Sequence, residues 1–282
     1  MTQLDQGNRF RALHQGPDLF LMPNPWDVGS ARLLQGLGFP ALATSSAAAA
    51  AVLGRRDGAL SREDTLAQAR ELAEACEVPL SADLGRGFGD SPEVVAETIR
   101  LAAEAGLVGA SIEDATGDAR HPFYDLELAV ERVRAAAEAA RELPFPFTLT
   151  ARAETFLGPE PKLDDAIVRL RAYERAGADV LFAPGLPDLA AVRAVCAAVG
   201  RPVSFMVGIP GKSFSVPELR AAGVRRVSFS SALYRAAMSA LLQAAGEALD
   251  GGTFEFVESI RPTAELLGIT SRGAGGRAIS TS

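Results

Sequence analysis

Lysine is almost missing from this chain. Lys162 and Lys212 are its only two, and every other strong base is arginine. A barrel enzyme working through a Schiff base needs a lysine at a strand end facing its pocket. Lys162 lies in a proline-flanked loop before a helix and Lys212 in a Gly/Pro turn, so neither fits. Histidine is as scarce, with His14 and His121 alone, and Cys76 and Cys196 fall inside predicted helices as small core residues. A zinc site therefore lacks a ligand set, and there is no disulfide framework. No run approaches the ~18 apolar residues of a membrane span. The polar start, MTQLDQGNRFRALHQG, shows no signal peptide. A net charge of −7 argues against nucleic acid or an anionic membrane as the main partner. These absences together lead us to expect a soluble, cytoplasmic protein.

Two nucleotide signatures are missing as well. No GxGxxG follows the first apolar run. The stretch Gly208-Ile-Pro-Gly-Lys-Ser213 falls short of a phosphate loop because Met206 stands where the first glycine belongs.

What is present is a rhythm. Four times an amphipathic helical stretch ends in glycine and a β-prone run follows: LQGLG-FPALATSS, AAEAG-LVGASIED, YERAG-ADVLFAPG and LRAAG-VRRVSFSS. Glycine just past a helix end takes the left-handed capping position. The caps Gly38, Gly106, Gly177 and Gly223 are spaced by 68, 71 and 46 residues, close to two, two and one βα units. The first of these β-prone runs is Phe39–Thr44, and strands at Leu19–Met22, Val78–Ala82, Phe147–Ala151 and Pro202–Val207 complete eight alternating units. Ser61 to Asp64 reads as a capping box, and Ser91-Pro92 opens another helix. Strict alternation means a parallel sheet, and eight units favour closure. The expected fold is an α/β (β/α)8 TIM barrel, one domain over residues 1–270. Residues 241–270 supply extra C-terminal helices that either cap the barrel bottom or pack on another subunit. Residues 271–282 are small and polar and read as a disordered tail.

In such barrels the C-terminal strand ends build the site. Read in order, those ends offer Asn24 with Trp26-Asp27, Thr44-Ser45-Ser46, Asp83, Glu113-Asp114, Arg152 with Glu154, Ser204, and Ser228 to Ser231. Carboxylates without histidine or cysteine partners suit a hard cation, Mg²⁺ or Mn²⁺. Asp83 ends a strand and precedes the glycine-rich Gly85 to Gly89 turn, and with seven residues between it and Ser91 it comes too early to cap the next helix. Bland alternatives stand beside these readings. Asp83 could cap its own turn, Glu113 or Asp114 could simply pair with Arg152, and Ser45-Ser46 could begin a loop through Ala47–Ala51.

The ordered motifs MPNPWDVGSARLLQGLGFPALATSS, LGRRDG, SADLGRGFGD, GASIEDATGD, LTARAETFL and ADVLFAPG resemble the isocitrate lyase / phosphoenolpyruvate mutase (phosphonomutase) superfamily over roughly Leu19 to Ala245. The resemblance implies a barrel with one Mg²⁺ (or Mn²⁺), a small 2-oxo or 2-hydroxy carboxylate as ligand, and a homodimer or homotetramer exchanging a C-terminal helix. It makes Asp83 the direct metal ligand, with Asp57 and Glu113 acting through metal-bound waters. Ser45, with the backbone near Ser46 and Ala47, would hold the substrate carboxylate, Trp26 would line the pocket, and Arg152 would meet the oxyanion or carboxylate. Ser204 stands where a substrate-binding asparagine is expected. The chain departs from the pattern in three further places. Gly85 replaces a second acid, the loop after Glu113-Asp114 reads ATGDARHPFYD without the KKCGH of the lyases, and Ala183-Pro184-Gly185 follows strand 6 where those lyases carry glutamate. In that loop His121 alone titrates near neutrality and is the candidate acid or base. The expected activity is Mg-dependent C–C cleavage of a small 2-oxo or 2-hydroxy (di)carboxylate through an enolate. A phosphonate P–C mutase or hydrolase, and a 2-oxo acid-binding protein without catalysis, are the competing readings.

Overall fold

Capping signals in the sequence set where the helices begin and end. In the computed structural model, in which residues 1–273 are described, Gly38, Gly106, Gly177 and Gly223 all have positive φ, between 91° and 111° at the extremes. Ser61 and Ser91 cap the helices they were expected to open. The strands are β1 (Phe20–Met22), β2 (Leu42–Ala43), β3 (Leu80–Asp83), β4 (Gly109–Glu113), β5 (Thr148–Arg152), β6 (Val180–Phe182), β7 (Val203–Met206) and β8 (Arg226–Ser228). The helices are α1 (Gln3–Gln15), α2 (Val28–Gly36), α3 (Ser46–Val52), α4 (Arg62–Ala75), α5 (Pro92–Glu104), α6 (Leu126–Arg141), α7 (Leu163–Ala176), α8 (Leu189–Ala198), α9 (Val216–Ala221), α10 (Ala232–Gly246) and α11 (Thr263–Thr270).

All eight strands run parallel in one sheet, ordered β1-β8-β7-β6-β5-β4-β3-β2. Its two ends meet where the Ala43 amide donates to the Pro23 carbonyl at 3.1 Å, leaving a nearly closed TIM-like barrel. Apolar faces of the surrounding helices pack on the outward strand residues Leu42, Leu80, Ala82, Ala110, Ile112, Leu149, Ala151 and Leu181, all buried.

Below, α1 plugs the barrel. Phe10 packs with Phe20, Met22, Ala41, Ala43 and Val108, and the His14 ring meets Phe10 and Phe20 edge-on. Gly109 is required here, since a Cβ would lie 2.7 Å from the Phe10 ring. This plug leaves the C-terminal mouth as the open end.

Two local expectations change. The Ala47–Ala51 stretch is helix α3, not loop. Alanine has the best helix propensity, and the Ser45 hydroxyl accepts the Ala48 amide as its N-cap. The C-terminal segment divides in its behaviour. α11 docks on α2, where Ile269 is buried and its carbonyl comes so near Gly36 that a Cβ would sit 2.0 Å away. α10 buries no residue, and Leu241, Leu242, Leu249, Phe254 and Ile260 are exposed. Of the tail 271–282, residues 274–282 lie outside the described residues. Among the described residues no helix is long and apolar enough to cross a membrane.

Candidate active site at the strand ends

The parallel register places Asp83 opposite Ser111, and Glu113 opposite Arg152, so the acids and the arginine of β3, β4 and β5 enter the barrel mouth together. Arg152 is their hub. Its Nη1 donates to Asp83 Oδ1 at 3.0 Å, its Nε donates to Glu154 Oε1 at 2.8 Å, and its Nη2 lies 3.4 Å from Glu113 Oε2. All three guanidinium nitrogens thus meet carboxylates. Of the two acids that could have been its partner, Glu113 is the one. Asp114 points outward, buried, and accepts from Tyr173 Oη at 2.6 Å, Arg169 Nη1 at 3.1 Å and the Glu154 amide at 2.8 Å. That last bond fixes the short 3-10 turn that presents Glu154 to Arg152.

Asp83 is clamped by more than Arg152. Its Oδ2 accepts the Ser46 amide at 3.2 Å, and its Oδ1 accepts the Gly85 amide at 3.3 Å and Ser111 Oγ at 3.4 Å. It does cap its own turn, as the bland reading has it, while also facing the cavity. Burial alone would raise its pKa, but the Arg152 charge and the Ser46 and Gly85 amides hold it below the usual range. Glu113 goes the other way. Burial lifts its carboxyl to about 8 against the pull of Arg152, with Glu154, Asp83 and Asp57 adding repulsion. Burial also raises Glu154. The same acids hold Arg152 well above its ordinary value despite its burial.

Above this cluster opens a cavity of about 830 Å³. Its walls include Ser45, Ser46, Ala47, Asp57, Asp83, Glu113 and Arg152, seven of the positions expected from the sequence. Three others stand elsewhere. Trp26 packs edge-on against Tyr234, with centroids 5.6 Å apart, and is not part of the wall. Ser204 faces inward but is taken by Arg226, whose Nε donates to its Oγ at 3.0 Å. His121 is exposed on the loop after β4, which is pinned back by an Ala115–Phe123 bridge and by Thr116 Oγ1 donating to the His121 carbonyl.

The cavity also recruits residues that were not assigned a role. Glu154 and Ser228 had been noted at strand ends, whereas Ser111 and Arg226 carried no local signal. Arg226 starts β8 and was read only as part of a strand. Asn24 joins β1, β2 and β8 at the rim: its Nδ2 donates to the Thr44 carbonyl at 2.8 Å, and its Oδ1 accepts the Phe229 amide at 2.9 Å and Ser228 Oγ at 3.1 Å.

Among the described residues no three His, Cys, Asp or Glu side chains converge tightly enough to hold a metal between them. The donor set nevertheless suits Mg²⁺, which keeps several waters and takes only one or two carboxylates directly. The wall carries four carboxylates, Asp57, Asp83, Glu113 and Glu154. Glu113 is lifted chiefly by burial, and it also feels the repulsion of Glu154, Asp83 and Asp57 that a divalent cation would relieve.

Comparison with known proteins agrees with this geometry. The family described as "Phosphoenolpyruvate phosphomutase" matches residues 10–249. The 2-methylisocitrate lyase of Escherichia coli (strain K12) is 32% identical over 246 residues, covering 84% of this chain and 82% of that protein. The oxaloacetate decarboxylase of Bradyrhizobium diazoefficiens is 33% identical over 202 residues, covering 69% and 68%. Among solved structures, one from Burkholderia cenocepacia J2315, described as a "putative lyase/mutase", superposes with a TM-score of 0.94 at 50% identity, covering 97% of this chain and 99% of that one.

Proposed function

The chain belongs to the phosphoenolpyruvate phosphomutase family of the isocitrate lyase superfamily, whose members include C–C lyases and phosphonomutases, and we propose that it is a Mg²⁺-dependent lyase. Its substrate is a small 2-oxo or 2-hydroxy (di)carboxylate, and the bond it cleaves is C–C. The observation that carries this reading is the buried Asp83–Arg152–Glu113–Glu154 cluster at the foot of the open cavity.

Asp83, kept ionised by Arg152 and by the Ser46 and Gly85 amides, would hold the metal directly, and Asp57 and Glu113 would serve it through waters. When bound, Mg²⁺ (or Mn²⁺) would supply Lewis acidity to the ligand's carboxylate and neighbouring oxygen. Ser45, Ser46 and Ala47 form the wall against which the ligand carboxylate lies. With a 2-oxo acid, Arg152 stabilises the negative charge that collects on the 2-oxygen as the C–C bond breaks and an enolate forms; with a 2-hydroxy acid it stabilises the alkoxide left when the hydroxyl proton passes to a neighbouring carboxylate. Glu154 orients that guanidinium, so its charge is positioned before substrate arrives. Arg152, shared among Asp83, Glu113 and Glu154, would turn toward the ligand once the first two are neutralised. Phe182, Met206 and Leu157 give the cavity apolar walls that limit water.

The exposed apolar residues of the α10 segment support assembly into a homodimer or homotetramer through the C-terminal helices, which a mass measurement in solution would read against the 29.5 kDa chain.

The deciding assay offers oxaloacetate, substituted malates, methylisocitrate and phosphonopyruvate with Mg²⁺ and follows the keto-acid and acid products. The expected result is cleavage of one of the carboxylates, with phosphonopyruvate inert, lost by at least roughly 10³-fold in Asp83→Ala. Turnover of phosphonopyruvate alone, or an Asp83→Ala protein that still binds ligand with Mg²⁺, would overturn the reading.

A further inference from the structure

Two guanidinium groups reach the cavity wall from within the barrel, and they differ in company. Arg152 is surrounded by three carboxylates. Arg226 is 3% exposed and pairs with no carboxylate among the described residues. Its partners are neutral acceptors. Nε donates to Ser204 Oγ at 3.0 Å, and Nη1 donates to Thr150 Oγ1 at 3.1 Å and approaches His14 Nε2 at 3.3 Å. His14 supplies no counter-charge and adds no second cation, because burial and the neighbouring Arg226 hold its pKa down to about 3 and keep the ring neutral.

A buried cation without a counter-ion is costly. For Arg226 the cost shows as a pKa drawn down to about 9 by burial and by Arg152. Three features point the uncompensated charge at a ligand. Arg226 is part of the cavity wall. Nε and Nη1 are tied to Ser204, Thr150 and His14, so the plane of the fork is fixed while Nη2 meets no acceptor among the described residues. Arg226 enters from β8, and its bond to Thr150 Oγ1 on β5, two residues before Arg152, sets the guanidinium across the barrel floor, so the charge lies beneath the acid cluster.

We propose that Arg226 is a second anion handle, which receives the distal carboxylate of a dicarboxylate whose 2-oxo or 2-hydroxy acid end sits beside Asp83. This rests on the reading above and narrows its substrate class from carboxylates in general to dicarboxylates. Arg226 acts in binding and selection. Serine, threonine and a neutral histidine suit that task, since they hold the guanidinium without quenching it. A carboxylate in any of their places would do so.

The test uses ligand pairs that differ only in a distal carboxylate against a methyl group: malate against 2-hydroxybutyrate, and 2-oxoglutarate against 2-oxopentanoate. Oxalate serves as a short probe of the metal end. Calorimetric binding with Mg²⁺ and ligand-induced shifts in melting temperature are measured for the wild type, Arg226→Gln and Arg226→Lys. In the wild type the dicarboxylate of at least one pair binds about tenfold or more tightly, the worth of a desolvated charge-assisted pair. In Arg226→Gln that preference vanishes while oxalate and the methyl-ended ligands bind as before, and Arg226→Lys keeps part of it. An unchanged preference in Arg226→Gln, or no preference in the wild type, would overturn the handle. So would an equal fall for every ligand, which means that the residue only braces the barrel. Should Arg226→Gln not fold, the wild-type pairs and Arg226→Lys decide. Oxalate binding that needs Mg²⁺ and Asp83 tests the metal end separately. Its failure would remove the lyase reading, whereas its success without dicarboxylate preference would remove the handle alone.

Discussion

The mouth and the floor of this barrel solve the problem of buried charge in opposite ways. At the mouth Arg152 is met by Asp83, Glu113 and Glu154, and the carboxylates outnumber the cation. On the floor Arg226 has only hydroxyls and a neutral ring. Negative charge in excess attracts a divalent cation, and positive charge without a counter-ion attracts an anion. One cavity with both, the acids above and the cation beneath them, is built for a ligand that brings a chelating head and an anionic tail. The comparison teaches that compensation inside a protein is informative where it is incomplete, because what is missing describes what binds.

The largest effect that would break this contrast comes from the support beneath the mouth. Asp114 ties β4 to α7 through Tyr173 and Arg169 and fixes the Glu154 amide. Asp114→Ala leaves the buried Tyr173 hydroxyl and the Glu154 amide without their acceptor and Arg169 with only the Tyr124 carbonyl and Asp165. It should cost about 3–5 kcal/mol, read as a lowered urea midpoint. A loss below roughly 1 kcal/mol would show that the mouth does not depend on this bracket.

The floor is probed by pH. His14 has an ordinary pKa of 6.5 and about 3 in the folded chain, lowered by burial first and Arg226 second. Between those values the unfolded chain binds a proton that the folded chain does not. The contribution is therefore fully present above pH 6.5 and is lost as pH falls toward 3, at up to about 1.4 kcal/mol per pH unit. Compared with His14→Gln, the wild type should lose stability more steeply from pH 6.5 to 4.5. Parallel profiles would mean that the ring accepts a proton in place and the floor is less cationic than drawn. The smallest effect sharpens the mouth. Glu154→Gln keeps a hydrogen bond to Arg152 but removes a charge, and should lower kcat by about 10–100-fold with little change in KM. A rise in KM alone would make Glu154 part of ligand binding instead.

Much of this architecture was legible beforehand because it rests on local chemistry. Glycine caps and serine N-caps set helix ends wherever they occur, and seven of the expected site positions meet around one cavity. The misses have a common cause. Trp26 was placed by its position in a motif, but its ring turns to Tyr234 on α10, some two hundred residues along the chain. Ser204 was placed at a strand end, and Arg226, which arrives from the neighbouring strand, occupies it. His121 stands in the loop that follows the acids of β4, and the hairpin of that loop turns it outward. Arg226 itself looks like any polar residue in a short strand, since nothing in VRRVSFSS says which of its two arginines faces the barrel.

By itself, then, the sequence determined the alternation of strands and helices, the barrel, and which strand ends carry acids, because period, propensity and capping act over a few residues. Only the tertiary structure decided which carboxylate pairs with Arg152, which turns out to Arg169, and which arginine is left without a counter-ion. Those outcomes depend on register and on burial, which bring residues such as His14 and Arg226, more than two hundred positions apart, into contact and remove the water that would otherwise neutralise their differences.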